Sequence, residues 1–219
     1  MATRQLLTEL ADAWQRREGV RMDLESVGGV DAARRVQEGE AFDAVFLASD
    51  AIAKLEAAGK VLAGSKVDLA RSGVSVCVKA GAAGPDLSSE DAVKQAVLAA
   101  ATIGYSTGPS GTALLKLFDR WGIAETVKPK LVQATPGVPV ASLVADGKVA
   151  LGFQQLSELI HVNGIDIAGP LPEAIQITTI FSGAVCAASQ QSDAVRRLLA
   201  FMASADAADA KRRQGMEAA

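Results

Sequence analysis

Aromatic side chains are scarce: two tryptophans, one tyrosine and six phenylalanines make up 4% of the 219 residues. Any core must therefore be filled mainly by alanine, valine, leucine and isoleucine. Cysteine is nearly absent. Cys77 and Cys186 lie far apart in apolar, β-type runs and outside any C-x-x-C pair, which argues against a disulfide scaffold or a thiolate metal site and for two buried free thiols. The single histidine, His161, has no acidic or thiol neighbour at ligand spacing and reads as a loop residue. A Ser-His-Asp constellation is implausible on one histidine. No Walker loop, dinucleotide fingerprint or metal cluster is present, so no cofactor is implied. Net charge is small, at −3, and gives no reason to expect a nucleic-acid partner. The densest basic cluster, Lys211, Arg212 and Arg213, reads as a solvated helix end favoured by the helix dipole. No run of about 18 apolar residues exists, so membrane insertion is not expected. Met1 to Trp14 is amphipathic and lacks a hydrophobic signal core. The expectation is a cytoplasmic chain as written, or a periplasmic one if this is a truncated or processed form.

What remains is an ordinary globular composition, 49% apolar and 21% charged. The length suits one large domain or two small lobes. Leu6, Leu7, Leu10, Ala11 and Trp14 recur at helical spacing, and Gly19 stops that helix. Val20, Met22 and Leu24 alternate with Arg21, Asp23 and Glu25, which predicts a half-buried strand. After Gly28 and Gly29 comes a short helix capped by Asp31, then a strand from Asp43 to Leu47, then a helix capped by Asp50. Alternating strands and helices predict an α/β fold with a parallel sheet. Val74 to Val78 reads as the next strand, Gly81 to Pro85 as a lobe boundary, and Ser89 as the start of a helix. Strands are expected near 131–133, 149–153 and 165–167, with helices between them. The apolar run from Gln176 to Ala188 is long enough to cross between lobes, and helices starting near Ser192 and Ser204 follow it.

One segment carries more chemistry than the rest. Gly104 to Gly111, GYSTGPSG, joins a short β-type run to a helix whose Leu114, Leu115, Phe118 and Trp121 share a face. A helix N-terminus leaves backbone N–H groups unpaired, and small residues let an anion approach them. Ser106, Thr107 and Ser110 could add hydroxyl donors. Two readings stay open: a small-anion cradle, or Ser110 as the N-cap of an ordinary helix.

The stretches LARSGVSVCVKAGAAGPDLSSEDAV, IGYSTGPSG, LGFQQLSEL, GIDIAGPLPEAIQ and the closing QGMEAA resemble bacterial solute-binding proteins of the molybdate-binding type, in that family's order and from about residue 4 to the end. The resemblance implies a type 2 periplasmic-binding-protein-like α/β fold, with two α/β lobes and a ligand cleft between them. Residues 1–80 plus 180–219 would form lobe 1, and residues 81–179 lobe 2. It implies the solute-binding component of an ABC transporter. Such a protein captures a molybdate-like oxyanion or a small organic acid without chemistry and has a permease as partner. Carried over by motif, the ligand-binding positions are Gly28, Gly29 and Val30; Ala48 and Ser49; Ser106, Thr107, Ser110 and Gly111; and Gln154 and Gln155. For each of these loops the plain alternative is a turn, a helix cap or a surface helix residue. The chain departs from the family pattern in two places. The first strand and its loop serine have no counterpart, since Met1 to Thr3 already falls where that loop meets the first helix. Gly28-Gly29-Val30 also lacks the serine typical of oxyanion binders. Two other functions stay open on this fold. One is a cytoplasmic isomerase or lyase acting on a small carboxylate, with Asp43, Glu158 or Glu173 as base. The other is a cytoplasmic ligand sensor, which would need a partner to contact DNA.

Overall fold

The structure, a computed structural model, describes residues 2–219; Met1, which opens the helical reading of the first fourteen residues, lies outside the described residues. In chain order come α1 (Arg4–Glu18), α2 (Gly29–Gln37), β1 (Ala44–Ala48), α3 (Ser49–Ala57), β2 (Val67–Lys79), α4 (Glu90–Ala99), β3 (Ile103–Tyr105), α5 (Pro109–Arg120) and α6 (Ala124–Val127). There follow β4 (Leu131–Gln133), α7 (Val140–Ala145), β5 (Leu151–Gln155), α8 (Leu156–Leu159), β6 (Ile165–Pro170), β7 (Thr178–Val185), α9 (Ser192–Ala203), α10 (Ala208–Arg213) and β8 (Glu217–Ala218). None of the described helices is long and apolar enough to cross a membrane.

Two compact units divide the chain: residues 1–71 with 179–219, and residues 72–178. The first crossing falls inside β2, not at the Gly81–Pro85 connection. The strand runs thirteen residues, well beyond the expected Val74–Val78, because its first half has β8 as a ladder partner and its second half β5 and β6. The return crossing falls at the start of β7.

In the first unit, β1 pairs antiparallel with β7, from Ala44 opposite Val185 to Ala48 opposite Phe181, and β8 pairs with the first half of β2. The alternation of β1 sends Val45 and Leu47 into one cluster with Val36 of α2 and Ile52 and Leu55 of α3. It sends Ala44 and Phe46 toward Leu6, Leu10, Trp14, Leu199 and Met202 on the other face. The helices therefore sandwich the sheet. At Gly183 a Cβ would lie 2.4 Å from the Leu199 side chain, so α9 seats directly on the strand backbone.

The second unit has the order β6-β2-β5-β3-β4. β5 and β6 flank β2 antiparallel, while β5, β3 and β4 run parallel. The sheet is thus mixed, which corrects the expectation of a parallel sheet: β2 runs antiparallel to both of its neighbours. Val74, Val76 and Val78 join Val93, Val97, Phe118 and Phe153 on one face, and the Phe118 and Phe153 rings meet edge to face at 6.5 Å. Cys77 turns to the opposite face, with Val140, Val144 and Leu159.

Several local expectations are corrected. Residues 20–28 form no strand, although Val20, Met22 and Leu24 alternate with charged residues. Among the described residues they join no hydrogen-bonded ladder, and Val20 and Leu24 stay exposed. Alternation marks a face, but a strand also needs a neighbour for its backbone groups. Asp31, Asp50 and Ser110 are not N-caps. Those positions belong to Gly28, Ala48 and Gly108, and each of the three residues sits in the first turn instead. Ser89 does cap α4, accepting from the Ala92 N–H at 3.1 Å.

Lys211 is the largest departure. It was expected on a solvated helix end, yet it is 1% exposed and its Nζ has no hydrogen-bond partner among the described residues. Arg212 and Arg213 do face outward, paired with Asp209 and Glu9. Burial lowers the Lys211 ammonium from its ordinary 10.5. The unfolded chain therefore holds this proton more tightly than the native one. The penalty is fully present below the lowered native value and is relieved as pH rises from there toward 10.5. Lys211→Met is expected to raise stability at pH 7 by about 1–3 kcal/mol, the usual cost of an unpaired buried polar group. It should also flatten the alkaline rise in stability. Urea unfolding of both proteins at pH 7 and pH 10 checks this.

Candidate functional site

Most of the positions singled out by motif fall at the carboxyl ends of strands, where they run into helices; Gly28, Gly29 and Val30 instead open α2 after a segment that forms no strand. Each unit is described by itself.

In the second unit, β3 ends at Tyr105 and α5 begins at Pro109. The Ser106 hydroxyl accepts from the Gly108 N–H at 3.3 Å and lies 3.2 Å from the Ser110 hydroxyl. These contacts fold the loop back on the first turn of α5. Gly111 makes the fold-back possible: a Cβ there would sit 1.8 Å from the Ser106 carbonyl oxygen, a position no side chain can occupy. Gly108 has no side chain to cap α5, and Pro109 has no N–H. The next N–H groups, on Ser110 and Gly111, are left as donors at the positive end of a twelve-residue helix. Thr107 is exposed and Ser110 is 5% exposed. Loop and helix start together present hydroxyl and N–H donors without a cation among them, a chemistry suited to anions.

The neighbouring junction is built differently. Gly104 of β3 pairs with Gly152 of β5, and two residues further on stand Ser106 and Gln154. Gln154 is 2% exposed, and its Oε1 accepts from the Ala141 N–H at 3.2 Å, capping α7 from an adjacent strand. With Oε1 so engaged, the amide nitrogen is the donor to Glu158. Glu158 is half-buried on the first turn of α8. Burial pushes its carboxyl above the ordinary carboxylate range, and the Gln154 hydrogen bond opposes that rise. Gln155 is 3% exposed at the last residue of β5, opposite Val74 of β2. Gln154 thus supports the strand end from within, while Ser106 and Gly111 shape the adjoining loop.

In the first unit, α2 and α3 pack on β1, and neither is capped by a side chain. Gly28 is the N-cap of α2, Gly29 and Val30 open it, and Val30 is 72% exposed. Ala48 ends β1 and caps α3, and Ser49 is its first residue. The Ser49 hydroxyl lies 3.5 Å from Asp68, whose carboxylate takes a shorter bond, 2.6 Å, from Ser182. Lys66 stands 3.6 Å from the same carboxylate. The first-unit junctions therefore bring together the N–H groups of two helix starts, with one hydroxyl already turned to an acid.

The other sequence candidates are placed as follows. Asp43 precedes β1 and accepts from the Ser189 hydroxyl at 2.7 Å. Glu173 is exposed on a short 3-10 turn. Both cysteines are buried free thiols, and burial pushes Cys77 up to about 12 and Cys186 to about 11, out of the range of a useful nucleophile. No group of His, Cys, Asp and Glu suited to a metal ion occurs among the described residues. Sequence reasoning missed the Gln154–Glu158 pairing as a unit, although the i, i+4 spacing of an amide and an acid at a strand-to-helix junction was available.

Comparison with known proteins gives three findings. A family profile described as bacterial extracellular solute-binding protein matches residues 1–217. A Pseudomonas protein named aconitate isomerase is 39% identical over 217 residues, spanning 96% of this chain and 82% of that protein. Among solved structures, the periplasmic molybdate-binding protein of Azotobacter vinelandii superposes with a TM-score of 0.80 at 19% identity, over 98% of this chain and 95% of that one. Iron-bound HitA from Pseudomonas aeruginosa superposes with a TM-score of 0.67 at 14% identity, over 94% and 79%. The fold is α/β and type 2 periplasmic-binding-protein-like, as the resemblance implied; likeness at such identity speaks for the fold alone.

Gly111→Ala is expected to cost about 3 kcal/mol or more, because the new methyl group meets a backbone oxygen and cannot be accommodated by a rotamer change. Ser110→Ala should cost only about 1 kcal/mol, the value of one hydroxyl contact. Denaturant unfolding of the two variants should therefore separate them clearly; equal costs would mean that the fold-back of the loop does not depend on Gly111.

Proposed function

The chain belongs to the bacterial extracellular solute-binding protein family, and from that premise we propose that it binds a small unsaturated polycarboxylate and isomerises it. The observation that carries this reading is the 39% identity to a Pseudomonas protein named aconitate isomerase, over 96% of this chain and 82% of the relative. On this reading the ligand's carboxylates are held by backbone N–H groups and hydroxyls. The candidate donors are Gly28, Gly29, Val30, Ala48 and Ser49 of the first unit and, taken by themselves, Ser106, Thr107, Ser110 and Gly111 of the second. Gln154 and Gln155 complete the strand end beside them.

The chemistry is compatible with such a site. The two isomers of aconitate differ in the geometry about one double bond flanked by an allylic methylene group. Moving a proton from that methylene to the far alkene carbon shifts the double bond and yields the other isomer from the same atoms. The reaction needs neither metal nor redox partner. It needs a held substrate and a group that accepts and returns one proton.

The family description supports solute binding, and a second reading builds on it: capture of a small anion without chemistry, as the binding component of an ABC transporter with a permease partner. One experiment decides between them. Pure cis- or trans-aconitate is incubated with the protein and followed by proton NMR, and thermal unfolding is recorded with aconitate, molybdate, tungstate and sulfate. The isomerase reading expects interconversion and a rise in Tm with aconitate, worth about 2.7 kcal/mol at a hundredfold excess over Kd. A Tm rise with molybdate and no conversion of aconitate would make the protein a capture component.

A further inference from the structure

Three acids were candidates for a proton-transferring role, and the structure separates them. Asp43 is occupied by the Ser189 hydroxyl, and Glu173 stands exposed on a 3-10 turn. Glu158 is half-buried, follows the carboxyl end of β5, and forms no ion pair among the described residues. Its carboxyl is held by an amide whose orientation is determined at the other end, where the Ala141 N–H of α7 takes the Gln154 oxygen at 3.2 Å. The parallel register, Gly104 beside Gly152, sets Ser106 and Gln154 at the same end of adjacent strands. Glu158 therefore shares the strand end at which the hydroxyls and N–H groups of the β3–α5 loop are presented.

We propose that Glu158 is the group that moves the proton, serving first as base and then as acid on the same substrate. This rests on the isomerase reading and deepens it. The Glu158 carboxylate takes a proton from the allylic methylene carbon. The electron pair of that C–H bond becomes the new double bond. The pair of the old double bond then takes the proton back from the Glu158 carboxyl at the far carbon. Substrate and enzyme end with the protons they began with, and nothing is oxidised or reduced. A carboxyl raised by burial is the better base for such a step, and the hydrogen bond from Gln154 orients it.

The test uses the full chain with aconitate in deuterated water. Interconversion and deuterium uptake are followed by NMR, and aconitate binding by calorimetry. Glu158→Gln is expected to lower kcat by about a hundredfold or more, the ordinary contribution of a general base, while Kd changes less than about threefold. Glu158→Asp should recover part of the rate, with the acidic limb of the kcat/KM profile moved to lower pH. A Glu158→Gln variant that retains turnover and deuterium uptake near the unmodified rate overturns the role of Glu158 and leaves the isomerase reading standing. An unmodified protein that binds aconitate but neither converts it nor exchanges deuterium overturns both. If Glu158→Gln does not fold, Glu158→Asp decides: an unchanged rate with an unmoved pH limb is incompatible with the proposal.

Discussion

The strand end of the second unit depends on the pairing of two glycines. Gly104 and Gly152 lie side by side on β3 and β5. A Cβ on the first would meet Val140 and Val149 at 2.8 Å, and one on the second would meet Val144 at 2.7 Å and the Cys77 sulfur at 2.8 Å. Helix α7 therefore lies against bare strand backbone. Only at that approach can the Ala141 N–H reach the Gln154 side chain, and only a Gln154 amide so oriented offers its nitrogen to Glu158. A methyl group at either glycine would push α7 outward and loosen the chain of contacts that ends at a half-buried carboxyl. The chemistry available at the end of β5 is thus a consequence of packing on the face of the sheet.

The same strand ends show how a small protein assembles anion donors without cations. Ser89 spends its side chain on the first turn of α4, as does Ser204 on the short 3-10 turn after α9. Gly28, Ala48 and Gly108, heading α2, α3 and α5, have no side chain able to do so. Their first-turn N–H groups keep their bonding capacity, and the helix dipole adds to it. An anion held this way exchanges water for preorganised N–H groups, and those groups do not titrate. A carboxylate ligand would leave the ionisation of Glu158 as the main protonic variable at the second unit's strand end.

How much of this was readable beforehand follows from the range of each interaction. The Ser89 cap, the β3-to-α5 junction and the alternation of β1 depend on neighbours within a few residues, and the sequence shows them. The meaning of Gly104, Gly111 and Gly152 does not appear there, because each is set by an atom that folding brings close: Val140, the Ser106 carbonyl and Val144. Lys211 fails for the opposite reason. Lys-Arg-Arg at a helix end has every local mark of a solvated tip, but α10 turns its first basic residue inward while Ala210 packs into the core with Leu6 and Leu10. Residues 20–25 carry the period of a strand, and ladder formation is a property of two segments, not one. Among the site positions, Ser106 and Gly111 were legible as loop chemistry. Gln154 was legible only as a polar residue after a strand; its part as a brace between α7 and Glu158 needed the register.

Capture and isomerisation ask nearly the same things of this scaffold. Both need donors at strand ends, a helix dipole aimed at negative charge, and a shape that excludes water. A binding component that released its ligand unchanged would gain nothing from a half-buried acid at the strand end, since a negative charge there repels an anion and burial makes that charge costly. The cost is bearable when the acid has a proton to exchange with the ligand. The Gln154 amide then does for Glu158 what a capping side chain does for a helix: it holds the carboxyl by a hydrogen bond. On the proposed reading, a single carboxyl, braced from the neighbouring strand and helix, separates a protein that remakes a polycarboxylate from one that only holds it.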